Sequence, residues 1–223
     1  MLTQKQWSYS IFHKKGLFLL KTIITIGRQF GSGGHEIGRL LEKKLGIPCY
    51  DKELILLAAQ KSGMSVEVFS HVDETATNSF LYAVSAGGFS GSTPIGAPQN
   101  LPLNDRLFIV QNDIIRAKAE EGPCIFVGRC ADFILKDHTP ILNVFVRADL
   151  SFRIARIMEA EHCTEKAAAD LIAKADKKRA KYYNFYTQKR WGAADSYDLV
   201  LNNAKLGADR AADLICDFAK NLF

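Results

Sequence analysis

The chain has 223 residues, 48% of them apolar and 24% charged. That is enough for one α/β domain with small appended regions, too few for two full domains, and too apolar for wholesale disorder. The formal net charge of +5 is mild: spread over the surface it does not demand nucleic acid, and gathered in one cleft it suits an anionic ligand.

Five cysteines stand at positions 49, 124, 130, 163 and 216. Their number is odd and no pair is spaced C-x-x-C, so a disulfide framework or zinc site is not expected, and a reducing, cytoplasmic setting is. Near the start, Lys14-Lys15 precede the apolar run Gly16 to Leu20, in the outline of an export signal. Lys21 and Thr22 break the run and no small-residue cleavage site follows. No stretch approaches the roughly 20 apolar residues of a spanning helix, so membrane insertion is not expected either. Residues 1–21 read as an N-terminal arm.

Ile23-Ile-Thr-Ile26 is a β-branched run of buried-strand type. A glycine-rich turn, Gly27 to Gly34, follows it. His35 to Leu45 then has apolar residues at helical spacing, stopped by Gly46 and Pro48. Cys49-Tyr50 reads as a very short strand with Asp51 at its end. Helical patterns cover 52–62 and 65–72, and residues 86–104, rich in glycine with Pro94, Pro98 and Pro102, read as a loop. The expected elements continue as a helix over Leu107–Glu121, a strand over Cys124–Val127, a strand over Ile141–Val146 and a helix over Leu150–Ala160. A long basic helix over 164–186, a strand over Asp198–Leu201 and a closing helix over Ala208–Leu222 complete the series. Strands alternating with helices, with no hairpin signal, predict a three-layer αβα architecture around a five-stranded parallel sheet. Ligands of such sheets bind beyond the carboxyl ends of the strands, where Arg28, Asp51, Arg129, Arg147 and Asn202 fall.

Three features carry chemistry. In the first, the strand–glycine turn–helix unit, the backbone can curl so that successive N–H groups converge on phosphate oxygens, with the helix dipole adding to them. Against G-x-x-x-x-G-K-[ST], the segment Arg28-Gln-Phe-Gly-Ser-Gly-Gly34-His35 fails the strict pattern. Arg28 replaces the first glycine, Gly34 the lysine and His35 the hydroxyl residue. The cradle needs no lysine; what is lost is a cation near a transferring phosphoryl group, which Arg28 or Lys52 is placed to supply. The bland alternative is an ordinary glycine turn. In the second feature, Gly128-Arg129 at a strand end, a guanidinium can grip phosphate bidentately; the alternative is a surface arginine. The third, Lys174 to Tyr186, packs five cations into eight residues and then four aromatics. It suits a lid over phosphates, a nucleic-acid surface, or simply a solvated helix face.

As a set, these segments resemble the cytidylate-kinase-like family over roughly residues 22–220. The resemblance rests on Ile24 to Gly38, Leu45 to Ile55, Gly122 to Asp132, the basic stretch, and Tyr197-Asp-Leu-Val-Leu-Asn-Asn. It implies a P-loop nucleoside triphosphate hydrolase fold with a helical lid (174–192) and an acceptor-binding insert (52–106) in a single domain. It further implies an ATP- and Mg2+-dependent small-molecule kinase acting on a nucleoside monophosphate or related acceptor. In that reading Gly31, Ser32, Gly33, Gly34, His35 and Glu36 hold the donor. Asp51, Lys52, Arg129 and Lys181 face the acceptor, and Arg28, Asp51, Lys178 and Arg179 are the candidate catalytic groups. No resident metal site, no membrane and no nucleic-acid partner are expected. The departures, a missing lysine and an unfamiliar insert, leave open a catalytically silent nucleotide-binding protein and, more weakly, an RNA-binding one.

Overall fold

Ile23, Ile24 and Ile26 are almost wholly buried and send their side chains alternately to the two faces of a sheet. They form β1 (Ile23–Arg28) in a computed structural model that describes residues 22–51 and 103–221. Strands β2 (Cys49–Tyr50), β3 (Ile125–Val127), β4 (Ile141–Arg147) and β5 (Leu199–Asn202) complete a parallel sheet of order β2-β3-β1-β4-β5. Parallel strands need crossovers, and helices supply them: α1 (Gly34–Leu45), α2 (Leu103–Glu120), the short α3 (Ala131–Ile134), α4 (Leu150–Glu161), α5 (Glu165–Thr187), α6 (Asn203–Leu206) and α7 (Ala208–Asn221).

The core lies in two layers. On one face of the sheet, Ile24, Ile26, Val127, Val144 and Val146 pack with Ile37 and Leu41 of α1 and Ile215 of α7. On the other, Ile23 and Phe126 pack with Leu107, Phe108 and Ile115 of α2 and with Tyr182, Tyr183 and Tyr186 of α5. This is the three-layer αβα arrangement expected from the alternation of elements, and element ends fall within a few residues of the sequence reading. The exception is the start of α2, four residues earlier than expected. Three short elements carry no periodicity and went unread: α3, α6 and a 3-10 turn over Ala194–Ser196. Cys49, Cys124 and Cys216 are buried free thiols, as expected of small core residues, and burial pushes Cys124 up to about 12.

The basic stretch is one continuous helix, as expected, and the tyrosines at its end are core side chains, not an exposed platform. Phe108 stacks on Tyr186 at 3.9 Å, and the Tyr186 hydroxyl donates to buried Asp105 at 2.8 Å. Positions 182, 183 and 186 share one helix face, and burying it outweighs any solvent-exposed role for the rings. The arm 1–21, the helical patterns at 52–62 and 65–72, most of the 52–106 insert including Lys52, and nearly all of the 86–104 loop lie outside the described residues.

Candidate active site

The glycine turn is the best-defined part of the site. Gly31 and Gly33 sit in the left-handed region, at φ 76° and 86°, which an L side chain adopts only with strain. Gly33 is the N-cap of α1 and makes no side-chain cap. The first-turn N–H groups of Gly34, His35 and Glu36 therefore have no intrahelical acceptor and open toward the turn. The turn is held from behind. Ser32 is fully buried, its hydroxyl 2.9 Å from the Gln29 carbonyl and 3.0 Å from that of Val146. Gln29 Oε1 accepts from Ala148 N–H at 3.1 Å, and Asn203 Nδ2 donates to the Ser32 carbonyl at 2.8 Å. A Cβ on Gly33 would overlap that same Asn203 amide.

Arg28 explains the two missing motif residues together. Its side chain runs along the space a residue-34 side chain would enter: a Cβ on Gly34 would lie 2.5 Å from Arg28 Cβ. Its guanidinium reaches the end of β3, where a Cβ on Gly128 would collide with it. A side chain at position 28 thus requires glycine at 34, whereas at 128 glycine is favoured by its positive φ and the guanidinium fills the space beside it.

At the end of β3, Gly128, Arg129 and Cys130 are left-handed in succession, at φ 79°, 63° and 55°. For the two non-glycine residues this costs about 1–2 kcal/mol each, strain of a kind that gathers at functional sites. Its result is to turn Arg129 inward, where it is 4% exposed. Its pKa is lowered to about 10, chiefly by burial, with Arg28 and Arg179 acting in the same direction and Tyr182 and Asp51 opposing; it stays cationic at neutral pH. Arg179 of α5 closes the third side, its guanidinium 5.4 Å over the Phe30 ring and its Nη1 3.4 Å from the Arg28 carbonyl. The three arginines line a small cavity of about 30 Å3 with Thr25, Asp132, Tyr183, Trp191 and Tyr197. Within it the Tyr183 hydroxyl donates to Asp132 at 2.6 Å. Burial raises the Asp132 carboxyl, against the lowering effect of that bond.

The remaining sequence candidates divide. His35 Nδ1 lies 2.6 Å from Asp51 Oδ2, so the half-exposed imidazole and the buried carboxylate meet across the cleft between α1 and β2. Glu36 pairs with Arg156 of α4 at 2.8 Å, an exposed contact. Lys178 and Lys181 are exposed, and at ~100° per residue Lys181 stands about 200° around α5 from Arg179. Only Arg179 of the three lid cations lines the cavity. Ser32 is present through its backbone, while its hydroxyl is turned into the core. Tyr182, Tyr183 and Tyr186 are buried and so are not available for stacking on bases, while Phe185 and Trp191 of the same segment are half-buried. Sequence reasoning missed Asp132, Tyr183, Tyr197, Asn203, Arg153 and Asp176. The signal available for two of them was position alone: Asn203 directly follows the last strand, and Asp132 lies three residues past Arg129.

For a triphosphate the residues fit: two left-handed glycines, an uncapped helix start and nearby guanidiniums can together cradle phosphate oxygens. For a protein-held metal the described residues offer no ready ligand cluster: they contain no group of three or more His, Cys, Asp or Glu that could hold one, and the Ser32 hydroxyl faces away.

A model of the cytidylate kinase-like family matches residues 23–205, and the chain belongs to that family. A cytidylate kinase of Methanococcus vannielii is 28% identical over 199 residues, covering 86% of this chain and 97% of that protein. An uncharacterized protein from Eubacterium ventriosum superposes with a TM-score of 0.67 at 30% identity, over 90% of this chain and 99% of that one. A shikimate kinase from Bacteroides thetaiotaomicron superposes with a TM-score of 0.52 at 14% identity, over 88% and 97%, a likeness of fold. The fold is that of the P-loop kinases. No helix among the described residues is long and apolar enough to cross a membrane.

Proposed function

We propose that the protein is an ATP-dependent small-molecule kinase that transfers the γ-phosphoryl group to a nucleoside monophosphate or a related anionic acceptor. The observation that carries this reading is the convergence of Arg28, Arg129 and Arg179 on one cavity beside the glycine turn. Guanidiniums gathered on one cavity can grip an anion through several charge-assisted hydrogen bonds.

The backbone amides from Gly33 to Glu36 would hold the donor phosphates, and Arg28 would supply the cation that the absent lysine supplies elsewhere. Arg129, strained and buried, would grip the acceptor's anionic group, and Asp51 would orient the acceptor while holding His35. Magnesium, when bound with the nucleotide, neutralises phosphate charge, and it would rest on the nucleotide's own oxygens. Catalysis in this arrangement is positioning and charge stabilisation, with no covalent work by the protein.

The test is phosphoryl transfer from ATP to a panel of nucleoside monophosphates and anionic small molecules, with magnesium present. Arg28→Gly should lower kcat by about 10²–10³-fold, the usual effect of removing one charge-stabilising donor. Arg28→Gly combined with Gly34→Lys, which restores the motif's glycine and lysine and removes the overlap while His35 stays at the hydroxyl position, should recover most of the loss. No transfer to any acceptor, with ATP binding retained, would select a second reading: a nucleotide-binding protein without turnover. The absent lysine and the inward Ser32 hydroxyl favour that alternative.

A further inference from the structure

Behind the glycine turn, away from the arginine cavity, lies a charge pair that the proposed chemistry does not use. Asp176 of α5 accepts the Phe30 N–H through Oδ1 at 2.7 Å and meets Arg153 Nη1 of α4 through Oδ2 at 2.5 Å. Arg153 Nη1 also lies 3.4 Å from the Phe30 carbonyl. Both side chains are mostly buried, at 10% and 18% exposure. The turn rides directly on this pair, since a Cβ on Gly31 would touch the Arg153 backbone oxygen and Cβ at 3.2 and 3.3 Å.

We propose that Arg153 and Asp176 are a positioning pair for the phosphate turn, in which Asp176 fixes the Phe30 peptide and Arg153 cancels the carboxylate charge that this would otherwise place behind a bound anion. The proposal rests on the reading of the turn as a triphosphate cradle. Its logic is electrostatic. Using a carboxylate to hold the Phe30 N–H is good hydrogen bonding, since a charged acceptor makes the stronger bond. It also sets a negative charge beside a site meant for phosphates, in a partly buried setting where charges are poorly screened. Arg153 removes the conflict, and its second contact at the Phe30 carbonyl ties the same peptide from the other side. The pair also joins α4 and the middle of α5 to the turn, while Tyr186, near the C-terminal end of α5, packs in the core.

The sign of the charge effect separates this from a merely structural ion pair. Binding of Mg·ATP to the full chain, measured by calorimetry, gives the readout. Arg153→Met leaves an uncompensated carboxylate and should weaken binding about tenfold or more. The loss should shrink at high salt. Asp176→Asn keeps an acceptor for Phe30 N–H, leaves Arg153 positive, and should bind as tightly as wild type or more tightly. The double variant, neutral at both positions, should return to within about threefold of wild type, a non-additivity expected of directly coupled sites. Thermal melts of each variant guard against misfolding. If Arg153→Met does not fold, Asp176→Asn carries the test alone.

A structural pair predicts that both single variants weaken binding, so weaker binding by Asp176→Asn overturns the proposal. So does a double variant that binds no better than Arg153→Met. If wild type itself does not bind Mg·ATP, the reading of the turn fails and the proposal falls with it. If wild type binds and only the order of the variants is wrong, the proposal alone fails.

Discussion

The glycine turn and helix α5 face each other, and the sequence describes them with opposite fidelity. In the turn, function is written in backbone conformation. Gly31 and Gly33 must be glycine because φ is positive, and Gly34 because Arg28 occupies its side-chain space. In α5, function is written in which side of the helix a residue falls on. Arg179 and Asp176 reach the turn, Tyr182, Tyr183 and Tyr186 build the core, and Lys178 and Lys181 remain in solvent. Composition alone presents that helix as one basic, aromatic stretch. A backbone requirement leaves its mark at a fixed position, whereas a division of labour among side chains appears only once the partner surface is known.

The largest expected effect sharpens this contrast within α5 itself. Tyr186→Ala removes a ring stacked on Phe108 at 3.9 Å and one hydrogen-bond donor to buried Asp105. It should cost about 3–5 kcal/mol, the usual range for truncating a buried aromatic, read as a lowered urea midpoint. Lys178→Ala, eight residues earlier and exposed, should leave the midpoint unchanged. Equal responses at the two positions would break the claim that α5 is half core and half solvent-facing.

The same contrast marks what could be read beforehand. β1, the glycine turn and the stop of α1 were legible because each rests on local chemistry: a β-branched run, positive-φ glycines, and Gly46, which caps α1 at φ 67° with its N–H on the Glu42 carbonyl at 2.9 Å. Arg28 and Arg129 were legible as strand-end residues. The Arg28–Gly34–Gly128 relation was not, because the third member lies 100 positions from the first and meets it only through side-chain packing. Asp176 and Phe30 are 146 positions apart, and nothing in either neighbourhood announces the other. The His35–Asp51 contact was unread for the same reason, although both residues stood among the candidates.

A middle-sized effect tests the backbone half of the comparison. Gly33→Ala must adopt φ near 86° and must displace the Asn203 amide that holds the Ser32 carbonyl. The left-handed conformation alone costs about 1–2 kcal/mol, and the overlap adds to it. Adding Asn203→Ala should remove the overlap but not the conformational strain, so the double variant should remain less stable than Asn203→Ala alone by about 1–2 kcal/mol. Denaturant curves on the four proteins give this cycle. If the double variant matches Asn203→Ala, position 33 tolerates a side chain conformationally and the turn's glycines are dictated by packing only.

The smallest expected effect is a pH slope, and it belongs to the buried end of α5. Tyr183 delivers its hydroxyl to Asp132 at 2.6 Å, yet burial still raises the carboxyl above its ordinary value. A carboxyl raised on folding holds its proton longer in the native state than in the unfolded one. Native protein therefore binds more protons in the window from about pH 4, the unfolded value, up to the raised native one. Stability must fall as pH rises through that window: the contribution is fully present below the unfolded value and lost as pH passes the native value. Asp132→Asn keeps an acceptor for Tyr183 and cannot ionise, so its stability relative to wild type should improve from about pH 4 up to the raised native value and level off above it. Urea midpoints of the two proteins between pH 4 and 8 give the difference curve. A flat difference would mean that the charged carboxylate is compensated in the folded protein, with Lys189, whose charge favours the ionised form, the first residue to neutralise.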